Sequence, residues 1–124
     1  MANASPYVAV VDDDSSVRIA LARLLRIAGY LVKTFESGVE FLETLEEDDL
    51  PRAVVLDVHL PGLSALDVQA RLRAEGLELP IVFITAADDA SLDARVREAG
   101  GGELLRKPFS NEVLLAAISA ALLR

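Results

Sequence analysis

Short runs of apolar residues alternate along the chain with stretches in which apolar side chains recur every three or four positions. Tyr7 to Val11 is a near-continuous apolar run and reads as a strand. Val17, Leu21, Leu24, Leu25 and Ala28 then fall at helical spacing, with Arg18, Arg23 and Arg26 on other faces. Ser15 or Ser16 is the expected cap of this helix and Gly29 its stop. Leu31 to Phe35 reads as a second strand. Ser37, with Glu40 three residues on, opens a helix whose apolar face is Phe41, Leu42 and Leu45, and Glu46 to Pro51 is an acidic loop.

Ala53 to Leu56 shows no polar alternation, as a strand buried on both faces should, and it ends at Asp57. Pro61 and Gly62 make a turn, and a helix over Ala65 to Ala74 stops at Gly76. Ile81 to Thr85 is a fourth apolar strand. A helix over Asp88 to Ala99 follows, with Leu92 and Val96 facing inward, and Gly100, Gly101 and Gly102 break it. Glu103 to Lys107 is a short fifth strand ended by Pro108. Ser110 caps a last helix, Asn111 to Leu123, that is apolar on several sides. That helix either packs wholly on the sheet or keeps an apolar outer face for a partner. Five strand–helix pairs in alternation predict an α/β fold, a doubly wound parallel sheet with right-handed crossovers.

In such a sheet ligands bind beyond the carboxyl ends of the strands. Asp12, Asp13 and Asp14 end strand one, Asp57 ends strand three, Thr85 ends strand four and Lys107 ends strand five. Crowded carboxylates repel one another, and a divalent cation offsets that repulsion. Oxygen donors without a His or Cys cluster point to Mg²⁺ or Mn²⁺. Mg²⁺ takes one or two carboxylates together with phosphate oxygens, so the edge suits a metal and a phosphoryl group together. Lys107, one of only two lysines against ten arginines, is a compact charge for a phosphate. The Thr85 hydroxyl can donate to a phosphoryl oxygen, and Asp57 is the candidate carboxylate nucleophile.

At 124 residues the chain fits one domain, 1–124. It has no cysteine, which excludes a disulfide scaffold, a thiolate zinc site and a cysteine nucleophile. A formal charge of −8 argues against direct nucleic-acid binding by bulk charge. No apolar run reaches the length of a membrane span, and no signal peptide is visible, so a soluble, cytoplasmic protein is expected.

The segments Val10-Val11-Asp12-Asp13-Asp14, Val55-Leu56-Asp57-Val58-His59-Leu60-Pro61-Gly62, Ile84-Thr85-Ala86 and Lys107-Pro108-Phe109, in this order and spacing, resemble the receiver domain of bacterial two-component response regulators. The likeness runs from Tyr7 to Leu123 and looks closest to regulators with a LuxR-type helix-turn-helix output domain. It implies a flavodoxin-like (βα)5 sheet of strand order 2-1-3-4-5. It implies Asp57 as phosphoacceptor, and Asp12, Asp13, Asp57 and the backbone carbonyl of His59 as Mg²⁺ ligands. Thr85 matches the switch hydroxyl and Lys107 the phosphate-pairing lysine. His59 and Ala87 match positions that line the path of the hydrolytic water. The donor implied is a sensor histidine kinase. The partner implied is a second copy, docked through helix four, strand five and helix five on phosphorylation, with DNA reached only through an attached output domain. The protein is then a signalling switch rather than a stand-alone enzyme. A cis Lys107-Pro108 peptide is expected, to aim Lys107 back at Asp57.

Three positions depart from the pattern: Asp14 where Glu is commoner, the glycine-rich 100–102, and Leu104 where an aromatic residue is usual. Leu104 keeps a second reading open, a phosphate-independent interaction module with a receiver fold. A free-standing aspartyl phosphatase is disfavoured, because His59 stands where such enzymes place a second acid.

Overall fold

The computed structural model describes residues 7–86, 90–98 and 102–123, with only the backbone of residues 90, 92 and 93. Ten elements alternate in the order β1 (Val8–Val11), α1 (Ser15–Ile27), β2 (Val32–Phe35), α2 (Gly38–Thr44), β3 (Ala53–Asp57), α3 (Ala65–Ala74), β4 (Ile81–Thr85), α4 (Ala90–Glu98), β5 (Glu103–Arg106) and α5 (Asn111–Leu122). The strands form one parallel sheet of order β2-β1-β3-β4-β5, as the resemblance implies.

Alternation along each strand divides the core in two. Ala9, Val11, Val54, Leu56, Ile81 and Phe83 face Phe41 of α2, Val68 and Leu72 of α3 and Val96 of α4. Val8, Val10, Val55, Val82 and Ile84 face Leu21 and Leu25 of α1 and Leu114 and Ile118 of α5. The central strands are therefore buried on both sides, which explains why they read as unbroken apolar runs. On α5 the bulk of the apolar surface packs on the sheet, while Val113 and Leu123 stay exposed.

Several local expectations are corrected. The N-cap of α1 is Asp14, whose carboxylate accepts from the Ser16 and Val17 N–H groups, so neither Ser15 nor Ser16 caps. β1 starts at Val8 rather than Tyr7, and β2 at Val32, leaving Leu31 exposed at the sheet edge. β5 ends at Arg106 instead of Lys107, and Leu123 is the C-cap of α5 rather than its last residue, whereas β3 ends at Asp57 as expected. The Ser37–Glu40 pair is half a capping box. Ser37 accepts from the Glu40 N–H, but the Glu40 carboxylate reaches Glu36 N–H. The full box lies at α3, where Ser64 and Asp67 satisfy each other's backbone N–H groups. The Leu92 side chain, residues 87–89 and residues 99–101 lie outside the described residues.

Gly38 marks the closest approach of α2 to α3. A Cβ there would stand 2.6 Å from Val68 Cγ2 and 3.3 Å from the Leu63 carbonyl oxygen. Overpacking of this kind costs about 1–3 kcal/mol. It outweighs the gain of up to about 1 kcal/mol in helix propensity from Gly to Ala. Gly38→Ala is therefore expected to lower Tm by several degrees in thermal unfolding; an unchanged or higher Tm would mean that α2 shifts freely on α3.

Candidate functional site

The parallel ladder carries β1, β3 and β4 to a common edge, where β3 ends in Asp57, β4 ends in Thr85 and β1 is followed directly by Asp12. The Asp12 N–H still donates to the Phe35 carbonyl at 3.1 Å, one residue beyond β1. Asp57 is the register partner of Ile84, so Thr85 stands one residue further along β4. Lys107 N–H donates to the Thr85 carbonyl at 2.8 Å and pins the end of β5 beside β4. The Lys107-Pro108 peptide is cis, as expected from the sequence.

Asp12, Asp13 and Asp57 each bring a carboxylate oxygen within 4.8 Å of the others. Asp12 is fully buried, Asp57 is 7% exposed and Asp13 is exposed. Asp12 Oδ1 accepts from the Asp14 N–H at 2.9 Å, and Asp57 Oδ1 accepts from the His59 N–H at 3.2 Å. Asp12 Oδ2 is buried with no hydrogen-bond partner, and Lys107 Nζ stands 3.8 Å from it. The lysine thus rests against Asp12, where the sequence reading aimed it at Asp57. Asp14 is drawn out of the cluster by its capping role. Thr85 is fully buried at the strand end, and the His59 side chain is exposed. Ala87 lies outside the described residues.

Burial pushes the Asp12 carboxyl above its ordinary range, and Asp57 and Asp13 push the same way. The Asp14 N–H and Lys107 oppose this without cancelling it. A carboxyl raised in the folded state stabilises the fold below its unfolded value. That contribution disappears as pH rises through the folded value, so at neutral pH the ionised cluster is a cost.

This donor set fits Mg²⁺. All its members are oxygens, one of them a buried orphan acceptor. Direct octahedral ligands at about 2.1 Å from the metal stand no more than about 4.2 Å apart. Three carboxylate oxygens within 4.8 Å of one another are close enough to share one ion, directly or through water. Asp13→Asn removes one exposed charge from the cluster. It is expected to raise the Tm of the metal-free protein and to shrink the Tm gain that added Mg²⁺ produces. Equal Mg²⁺-induced gains in the two proteins would remove Asp13 from the donor set.

Arg18 is a contributor that helical spacing did not single out. Its Nη1 donates to the Asp12 carbonyl at 2.7 Å, and its Nη2 lies 3.9 Å from Glu36 Oε1. Periodicity places Arg18 off the apolar face of α1, but only the bend of the chain after β1 shows which carbonyl it meets.

The doubly wound parallel sheet thus carries an acidic cluster and a lysine together at the carboxyl ends of its strands. Residues 8–119 match the response regulator receiver domain, and the chain belongs to that family. Such domains bind Mg²⁺ at an acidic pocket and interact with histidine kinases of two-component systems. The chain is 44% identical over 120 residues to a protein named Response regulator MprA from Mycobacterium ulcerans (strain Agy99), covering 97% of this chain and 51% of that protein. It spans about half the length of the curated relatives it matches. Among solved structures, a receiver domain protein from Clostridium thermocellum superposes with a TM-score of 0.87 at 28% identity, covering 96% of this chain and 95% of that one. A receiver protein from Burkholderia phymatum gives 0.83 at 43% identity, covering 94% of each chain.

Proposed function

We propose that this chain is the phosphoacceptor domain of a two-component response regulator that controls transcription from the cytoplasm. The carrying observation is that Asp57, Asp12 and Asp13 share one 4.8 Å cluster beside Lys107. In the proposed step an Asp57 carboxylate oxygen forms the new O–P bond as the P–N bond of a kinase phosphohistidine breaks, and the imidazole leaves with the bonding pair. Bound Mg²⁺ supplies positive charge to the phosphoryl oxygens and offsets carboxylate repulsion. Asp12, Asp13, Asp57 and the His59 carbonyl would hold it. Lys107 turns from Asp12 to a phosphoryl oxygen, and Thr85 donates its hydroxyl to another. The protein assists its own phosphorylation and dephosphorylation and turns over no separate substrate. The exposed His59 side chain tunes the approach of hydrolytic water.

The proposed output is a phosphorylation-dependent homodimer through α4, β5 and α5, acting on DNA through an attached domain of the LuxR helix-turn-helix type. The subtype rests on motif resemblance; a multi-part regulator is supported by relatives about twice as long as this chain. Among the described residues no helix is long and apolar enough to cross a membrane. The second reading, a phosphate-independent interaction module, is favoured by one observation, the aliphatic Leu104 packed against the core beneath Thr85. Acetyl phosphate with Mg²⁺ separates the two. A mass gain of about 80 Da, one phosphoryl group, supports the phosphoacceptor. No gain with either acetyl phosphate or a phosphorylated kinase favours the module.

A further inference from the structure

Asp12 commits three of its four polar groups within the protein. Its N–H donates to the Phe35 carbonyl, its Oδ1 accepts from the Asp14 N–H, and its carbonyl accepts from Arg18. Only Oδ2 remains for a ligand. The first two bonds come from the strand ladder and the turn itself. The third comes from a side chain one helical turn into α1.

That carbonyl belongs to the peptide joining Asp12 to Asp13. Whatever fixes it fixes the direction in which two of the three clustered carboxylates leave the chain. At 2.7 Å the bond lies at the short end expected of a charge-assisted donor. The Arg18 side chain is only 15% exposed, and its second nitrogen faces Glu36. Glu36 is itself anchored through its N–H to Glu40 Oε1 at 2.8 Å. The guanidinium therefore hydrogen-bonds the turn after β1 and faces the exposed Glu36 carboxylate, 3.9 Å away, in the turn after β2.

We propose that Arg18 is a positioning residue for the Mg²⁺ site, holding the Asp12–Asp13 peptide in its metal-binding orientation. The inference rests on the Mg²⁺ reading given above. It makes a prediction opposite in sign to simple electrostatics. A fixed cation one peptide away from the cluster repels Mg²⁺, so by charge alone its removal tightens binding. By loss of positioning, removal weakens it.

The test titrates Mg²⁺ alone into the unphosphorylated protein and follows the amide resonances of Asp13 and His59. Supporting residues of metal sites change affinity by about 10–100-fold. Arg18→Gln is expected near the lower end, with Kd for Mg²⁺ rising about 10-fold. Arg18→Lys, which keeps the charge and a donor, should recover most of that loss. Arg18→Met keeps the aliphatic stem and carries the same expectation as Gln if the Gln variant does not fold. A Kd that is unchanged or lower in the neutral variant overturns the proposal. A wild-type protein that takes up no Mg²⁺ overturns the metal reading itself, a separate and recognisable outcome.

Discussion

Asp57→Asn should leave the protein with no mass gain under conditions where the wild type gains about 80 Da from acetyl phosphate and Mg²⁺. Asp57 ends the central strand with one carboxylate oxygen held by the His59 N–H, which leaves the other to attack phosphorus. Asparagine keeps the shape and removes both the charge and the nucleophile. Asp12 is no substitute, because its free oxygen is fully buried. Asp13 is exposed and is the one neighbour in the cluster that an incoming phosphoryl group can reach. The variant should also fold at least as stably as the wild type in the absence of Mg²⁺. Asp57 is among the charges that raise the Asp12 carboxyl, and removing it relieves a repulsion. Loss of phosphorylation with an equal or higher Tm is therefore the expected pair of results. A full mass gain in Asp57→Asn would assign the phosphoacceptor to Asp13.

The fold was legible because its strands are buried on both faces, and the chain writes that burial as uninterrupted runs such as Val8–Val11 and Val54–Leu56. The carboxyl-end rule then brought Asp12, Asp57, Thr85 and Lys107 to one edge without any coordinates. Local geometry was less legible. Three consecutive aspartates look alike on paper. Yet the structure makes Asp12 a buried acceptor, leaves Asp13 exposed and uses Asp14 as a helix cap. Which does which is set by the turn between β1 and α1, where a carboxylate cap displaced the two serines that follow it. The Lys107 contact with Asp12 likewise depends on how a mobile four-carbon stem settles among competing carboxylates, which spacing does not encode. Arg18 was hidden for a related reason. Its partner is a backbone carbonyl, and carbonyls leave no mark in a sequence.

Leu104→Tyr should strengthen phosphorylation-driven dimerisation at least about fivefold, the lower bound of ordinary allosteric coupling. Leu104 is the register partner of Phe83 on β4, and Thr85 lies two residues beyond Phe83. Positions two apart on a strand share a face, so Leu104 sits diagonally below Thr85, packed against the core cluster that includes Phe83 and Val96 of α4. Drawing the Thr85 hydroxyl toward a phosphoryl group on Asp57 vacates space on that face. An aromatic ring at position 104 can swing from the half-exposed surface into the gap and change what the α4–β5–α5 face presents. Leucine is too short to do both, and it carries no hydroxyl to display. On the proposed reading the wild-type signal is left to backbone shifts at the start of α4. Such a route makes fewer contacts that differ between the two states, and only differential contacts carry coupling. Sedimentation of phosphorylated and unphosphorylated wild type and Leu104→Tyr measures the difference directly. Weak wild-type association that tightens in the phosphorylated variant, with both unphosphorylated proteins monomeric, is the expected pattern. Tight dimerisation of the phosphorylated wild type, unchanged by the tyrosine, would show that this switch does not depend on a ring at β5.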